Sequence, residues 1–386
     1  MMFAIPLAWL QLKREKIRLL IALAGIGFAV ILMFIQLGFQ DALFDSSISM
    51  HKELQGDIFL ISPQSTSMIA MKNFSQRRLY QTLGYNGVES ISPIYLDFAL
   101  WKNPENQRTR GILVIGFDPS RPIFSPELVP DLTPIRLADV VLFDEKSRDE
   151  FGPIAKLFAT GKPVVTEVAG RRLTVGGLFA LGASFGADGN IITSDTNFLR
   201  IFSRRASGMI DVGMVTLKPG ADLDGLLKQM RRDLQDPFED VKVLSKAEFI
   251  EFERDYWRSS TAIGFIFTLG TAIGFLVGTV IVYQILYTDI TDHLAEYATL
   301  KAMGYRNFYL LTLVFQEAVI LSILGFIPGF FLSLGLYNLT RNATSLPIYM
   351  TADRAVIVLC LAMTMCVISG AIAVRKVQDA DPADIF

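Results

Sequence analysis

Four long apolar runs punctuate a chain that elsewhere alternates short apolar and polar stretches. No charged residue occurs from Leu19 to Gln40 or from Ser259 to Thr288. A third run, Phe308 to Leu336, contains one charge, Glu317, and is interrupted at Pro328-Gly329; a fourth extends from Ala355 to Val374. Each is long enough to cross the roughly 30 Å hydrocarbon core of a bilayer as a helix. Between Asp41 and Arg258 the pattern changes to short apolar runs bounded by Gly, Pro, Asn and Asp, which predicts a folded water-soluble domain. Strands are predicted at 56–62, 111–117, 171–179, 190–194 and 211–218, and helices at 75–83, 198–202, 222–234 and 246–256. The Pro-rich stretch from Asp118 to Pro134 reads as an irregular loop or junction.

The expected fold class is therefore a membrane α-helical protein with four transmembrane helices and a large mixed α/β extracytoplasmic domain. Its divisions are an amphipathic segment over 1–18, spans over 19–40, 259–288, 308–336 and 355–374, and the α/β domain with stalk helices over 41–258. A polar helix over 289–307, a loop over 337–354 and a tail over 375–386 complete it. The segments 44–54 and 246–258 read as helices that continue the first span into the domain and lead from it into the second.

Charge sets the orientation. Lys13, Arg14, Lys16 and Arg18 precede the first span and Arg375-Lys376 follow the fourth, so the excess of basic residues places both termini in the cytoplasm. The 289–307 segment is then cytoplasmic and the large domain periplasmic. Ala22-Leu23-Ala24 looks like a signal-peptide cleavage site, but it follows only Leu19, Leu20 and Ile21 and the apolar run continues past it, so the first span is expected to stay. A composition of 51% hydrophobic residues and a mean hydropathy of +0.40 agree with a membrane protein carrying a soluble insert. With a net charge of −2, no basic stripe exists to hold a nucleic acid.

The polar 289–307 segment carries Asp289, Asp292, Glu296, Lys301 and Arg306 beside an apolar stripe of Leu294, Tyr297, Leu300 and Met303 at helical spacing. On pattern alone this is either a solvated linker or a handle that an external partner grips. Gly270, Gly274 and Gly278, four apart, form the small-residue stripe that lets helices approach closely in lipid. Glu317, beside Gln316, is an intramembrane carboxyl and so a candidate functional group. The preferred reading is an interhelical hydrogen bond, with Glu317 protonated or paired to a basic group near the cytoplasmic surface. A proton relay is disfavoured because no second acid or histidine lies in another span.

Catalytic, cofactor-binding and metal-binding residues are not expected. There is no G-x-x-x-x-G-K-[ST] phosphate loop, so the chain should not bind ATP directly. His51 and His293 fall on opposite sides of the membrane, Cys360 and Cys366 lie within the last apolar run, and Ser184 lacks the surroundings of a nucleophile elbow.

One span, a large domain, then three spans with the handle Glu296-Tyr297-Ala298-Thr299-Leu300-Lys301-Ala302-Met303-Gly304-Tyr305 resembles the MacB/FtsX-like superfamily of ABC transporter permeases, also termed type VII. Glu296, Ala302, Gly304, Glu317, Gly325, Gly329 and Asp381-Pro382 carry the match; Ala295 and Ala298 stand where many members have Arg and Gly. The resemblance implies that Asp292, Glu296, Leu300, Lys301, Met303 and Gly304 couple to a separate ATPase, which holds ATP and Mg. The runs LISPQ, YWRSSTAIGFIF, VIVYQILYTDITDHLAEYATLKAMGY and FGADGNIITSDTNF are similar to the DevC-like permeases of cyanobacterial DevBCA exporters. That similarity implies a non-catalytic inner-membrane homodimer working with a DevA-like ATPase, a DevB-like periplasmic adaptor and a TolC-like outer-membrane channel, with lipid or glycolipid as cargo, as in heterocysts. The alternative function is an FtsX-like signalling subunit that activates a periplasmic hydrolase.

Overall fold

The computed structural model describes residues 16–235, 239–293, 299, 303, 307–344 and 346–379. The chain divides into two units, Met1–Ala42 with Ala262–Phe386, and Leu43–Thr261. In chain order, α1 (Lys16–Ser47) precedes α2 (Ser49–Glu53) and β1 (Ile58–Ile61). Then come β2 (Phe74–Ser75), α3 (Gln76–Gln81), β3 (Val88–Lys102), β4 (Thr109–Phe117), β5 (Val140–Asp144) and α4 (Ile154–Ala159). They are followed by β6 (Val164–Val168), β7 (Arg171–Phe179), β8 (Asn190–Ser194), α5 (Asp195–Ile201), β9 (Met209–Ile210) and β10 (Val212–Leu217). Last are α6 (Leu223–Met230), β11 (Lys242–Ser245), α7 (Lys246–Asp255), α8 (Ala262–Asp292), α9 (Asn307–Thr344) and α10 (Ala352–Asp379).

The Leu43–Thr261 unit is built on one long sheet with the strand order β11-β1-β10-β3-β4-β8-β5-β7-β6. β3 serves two halves of it. Its first residues pair with β10 as far as Ile94 opposite Val212, and from Tyr95 opposite Gly116 it pairs with β4. Pro93 sits where β3 has a partner on one side only, the position in which a residue without an N–H is tolerated. At the other end β6 pairs back onto β3, Trp101 opposite Val168, so β3, β4, β8, β5, β7 and β6 close on themselves as a barrel. Trp101, Phe143 and Phe151 fill it, and the Trp101 indole N–H donates to the Phe151 carbonyl at 3.1 Å.

Helices are seated on this sheet by their caps and by gaps in the strands. Ser245 and Glu248 form a reciprocal capping box at the start of α7, and the Ser194 side chain accepts from the Asn197 amide at the start of α5. A Cβ at Gly116 would meet the Phe198 ring carbons at 2.6–2.9 Å, so glycine there lets α5 lie on β4. At the open edge of the sheet, β11 does not present bare backbone. The Val243 amide donates to Gln235 Oε1 at 3.0 Å, and Arg231 Nε donates to the Val243 carbonyl at 3.1 Å.

In the other unit, α1, α8, α9 and α10 each contain a stretch long and apolar enough to cross a membrane. Ile26, Val30, Phe34, Leu286, Ala318, Ala362 and Met365 are among the residues packed between them. The outward faces stay apolar, with Phe265, Leu269, Ile273 and Leu276 exposed along α8 and Phe331, Leu332 and Leu339 along α9. That two-sided apolar character suits a lipid surround. Gly27 on α1 comes within van der Waals reach of the α9 backbone, 3.6 Å from the Gly325 carbonyl as measured from an added Cβ. Helix α9 continues through Pro328 without a break in its assignment.

Of the two expected stalk helices, one agrees with the sequence expectation and one differs. Helix α1 continues past the charge-free run to Ser47, and α2 follows after a single residue, Ile48. The approach to the second span, expected as one helix over 246–258, is instead α7, a π-helical turn over Tyr256–Ser260, and an extended Thr261 before α8 begins. The extra residue per turn lets Trp257 remain buried while the chain leaves α7.

Candidate functional site

The residues singled out in the polar segment divide into those the structure describes and those it does not. Glu296, Leu300, Lys301 and Gly304 lie outside the described residues. Met303 is exposed, with its amide donating to the Thr299 carbonyl at 3.0 Å, as in a helical turn. Asp292 closes α8.

Around the end of α8 the membrane unit gathers a cluster of charges. Asp289 is buried on the face of α8 that packs inward, one helical turn before His293, whose Nδ1 lies 2.9 Å from the Asp289 carbonyl oxygen. Arg18, in the first turn of α1, reaches across to both acids. Its Nη1 donates to Asp289 Oδ1 at 3.2 Å and its Nη2 donates to Asp292 Oδ2. Glu317, on α9, is also buried, with Asp289 and the Arg18 charge close enough to act on it. Two carboxyl groups, Asp289 and Glu317, thus lie near one guanidinium. Arg18 thereby joins α1 to α8 immediately before the polar segment, with Glu317 of α9 beside them.

Glu317 is therefore buried near an acid on α8 and a basic group on α1, and no interhelical hydrogen bond to it is seen among the described residues. Sequence reasoning named Asp289 and Glu317 separately, and counted Arg18 only for orientation. The signal that could have joined them is that Arg18 and Asp289 flank the cytoplasmic ends of their predicted spans and Glu317 lies in the cytoplasmic half of its own.

The opposite end of the same unit is held by a second arginine that sequence reading passed over. Arg354, in the first turn of α10, donates to Asp41 of α1 through Nε at 3.0 Å and Nη2 at 2.6 Å. Its Nη1 donates to the Tyr349 carbonyl at 2.7 Å, and the guanidinium stands 5.6 Å from the centre of the Tyr337 ring. Tyr337 on α9 in turn donates its hydroxyl to the Phe34 carbonyl of α1. Asp41 and Arg354 are the charges that end the first apolar run and begin the fourth, on the same side of the predicted topology.

Gly270, Gly274 and Gly278 all look toward neighbouring helices. An added Cβ would meet Gln36 at Gly270, Leu32 and Met33 at Gly274, and Met365 and Ala29 at Gly278. Close to Gly278, Ser369 Oγ of α10 donates to the Thr279 carbonyl at 2.7 Å. Cys366 is buried and Cys360 exposed, both without a disulfide. Among the described residues no group of His, Cys, Asp and Glu is arranged to hold a metal ion. What the Arg18 cluster can do chemically is hold and exchange charge pairs, not make or break covalent bonds.

Comparison with known proteins gives two family matches, the MacB-like periplasmic core domain over residues 19–233 and the FtsX-like permease C-terminal domain over residues 262–382. No curated protein matches the chain. Among solved structures, the periplasmic region of MacB from Actinobacillus actinomycetemcomitans shares 10% identity at a TM-score of 0.36, covering 52% of this chain and 92% of that one. The extracellular domain of the noncanonic ABC-type transporter YknZ from Gram-positive bacteria shares 14% identity at a TM-score of 0.32, covering 48% and 98%.

Proposed function

The chain belongs to the family of the MacB-like periplasmic core domain, joined here to an FtsX-like permease domain, and on that premise we propose that it is the permease subunit of an ABC exporter that transmits motion across the membrane. In this reading a separate DevA-like ATPase holds ATP and Mg and grips the 289–307 segment on the cytoplasmic side of the inner membrane. Closure of the ATPase displaces that segment, and α1 carries the displacement toward the periplasmic domain. The domain then drives lipid or glycolipid cargo through a DevB-like adaptor and a TolC-like channel, as in DevC-like permeases. The exposed apolar stripe along α8 suits a second copy of the chain as well as lipid, which supports a homodimer.

The observation that carries this reading is the pair of bonds from Arg18 to Asp289 and Asp292. They tie the foot of α1 to the last turn of α8, so a pull on the polar segment reaches a helix that runs without interruption from Lys16 to Ser47. A helix of that length is stiff enough to transmit displacement, where a Gly/Ser linker would absorb it. Such transmission requires two arrangements whose balance ATP biases.

The test is the ATPase rate of the partner subunit reconstituted in lipid with the permease, with and without adaptor. We expect no hydrolysis by the permease alone and an adaptor-sensitive rate in the complex. Failure of the two subunits to associate would overturn the proposal. Activation of a peptidoglycan hydrolase, with no adaptor engaged, would replace export by the FtsX-like signalling role.

A further inference from the structure

His51, on α2, is fully buried, and neither ring nitrogen has a hydrogen-bond partner. Buried polar groups are nearly always bonded, so an imidazole left in this state needs a reason. Its Nε2 lies 3.7 Å from Oε2 of Glu253, a carboxyl on α7 that is 1% exposed. Glu253 is bonded on its other sides: Oε2 accepts from the Met68 amide at 2.6 Å and Oε1 accepts from the Trp257 indole at 2.8 Å. These three contacts gather the segment that follows the first membrane helix, the loop at Met68, and the π-helical turn that leads to the second.

No other charged group compensates the pair among the described residues. On α2, Lys52 is turned to Asp45 at 3.1 Å. On α7, Glu251 pairs with Arg254 and Arg258, Glu248 pairs with Arg231, and Lys246 donates to the Leu54 carbonyl. From the loop before β8, Asp188 is taken by Arg110 and Arg148. The remaining side of the imidazole is covered by the Phe249 ring at 4.5 Å between centroids, itself stacked on Phe59 at 4.8 Å. In so apolar a place an uncompensated charge is costly, whichever of the two groups carries it.

We propose that Glu253 and His51 share one proton and act as a latch within the Leu43–Thr261 unit, closed while the proton is held between them and loosened when it leaves. With the proton on Oε2, a closure of less than about 1 Å brings the carboxyl to hydrogen-bond distance of the unpartnered imidazole nitrogen. Without it, a carboxylate remains in a dry site. A cavity of about 20 Å³, lined by Ser46, Met68, Asn190, Glu253 and Trp257, is large enough to admit a single water to that anion.

Burial lifts the Glu253 carboxyl to about 7 and holds the His51 imidazole down at about 3, so between those values the native pair keeps one proton. In the unfolded chain the same groups titrate near 4.5 and 6.5. From pH 3 to 4.5 the unfolded pair binds more protons, and stability rises with pH. From 4.5 to 6.5 the two states hold equal numbers, and stability is flat. From 6.5 to about 7 the native pair binds more, so stability falls as the proton is lost.

The experiment is fluorine NMR of the full-length protein in lipid nanodiscs, labelled with 5-fluorotryptophan and with the three tryptophan resonances assigned by Trp→Phe replacement. The Trp257 resonance is expected to shift with a midpoint near 7, and to be flat in Glu253→Gln, whose amide keeps the shape of the site without titrating. His51→Leu, which removes the proton acceptor but not the acid, should displace the midpoint by at least about 0.5 pH unit. A Trp257 signal without a transition in the wild type, a transition that survives in Glu253→Gln, or an unchanged midpoint in His51→Leu would each overturn the latch. None of these readouts depends on the ATPase partner, so the exporter reading can fail while this one stands.

Discussion

Two arginines hold the two ends of the membrane unit, and they hold them differently. Arg354 has a side chain 6% exposed and directs its donors to Asp41, the Tyr349 carbonyl and Tyr337, groups fixed by α1, the chain before α10, and α9. Asp41 is half exposed, so the strength of this clamp lies less in the ion pair than in the buried bonds around it. Arg18 is 26% exposed and divides itself between Asp289, which is buried, and Asp292, which is 51% exposed. One end is a fixed clamp. The other is a joint whose acids sit immediately before the segment proposed to meet a partner, and whose pairs can be exchanged at small cost.

The comparison breaks first at Arg354. Arg354→Met removes the buried donor to the Tyr349 carbonyl and its packing on Tyr337, and should cost about 3 kcal/mol, read as a clear fall in melting temperature of the solubilised protein. Arg18→Met, whose partners are one buried and one exposed acid, should cost less, about 1–2 kcal/mol by the same measurement. Its expected signature is functional: the partner ATPase still turns over in the reconstituted complex, while cargo release drops by about tenfold or more. Equal losses of melting temperature in the two variants would abolish the distinction between clamp and joint. The smallest effect is expected from Glu317→Gln, since an amide keeps the shape and hydrogen-bonding capacity of the carboxyl beside Asp289. Transport should stay within about twofold of wild type, and complete loss with normal assembly would mean that Glu317 works as a charge or carries a proton.

Much of the fold was legible in the chain because it depends on local pattern. The long apolar runs mark the membrane-capable helices, and strands with clean bounds, such as 171–179 and 190–194, coincide with β7 and β8. β3 escaped because Pro93 and the polar residues about it argue against a strand of 15 residues. It exists because tertiary pairing switches from β10 to β4 next to that proline, which no local window contains. β6 and β11 are short and depend on their partners in the same way. For the site, residue types were legible and pairings were not. Asp289, Asp292 and Glu317 stood out as charges beside or within apolar runs, but Arg18 joins them over 271 positions of sequence. His51 and Glu253 had no local signal, since neither burial nor the missing hydrogen bond can be seen in one dimension.

The side chains laid along β11 have a consequence for life in a crowded membrane. Closure of β6 onto β3 leaves β11 as the exposed flank of the nine-stranded sheet, and such a flank is a template on which another chain can add. Gln235 and Arg231 occupy the Val243 backbone groups, and Glu248 accepts the Ser245 amide at 2.8 Å. A second chain therefore meets these backbone groups of β11 already taken, which blunts edge-to-edge pairing at that flank.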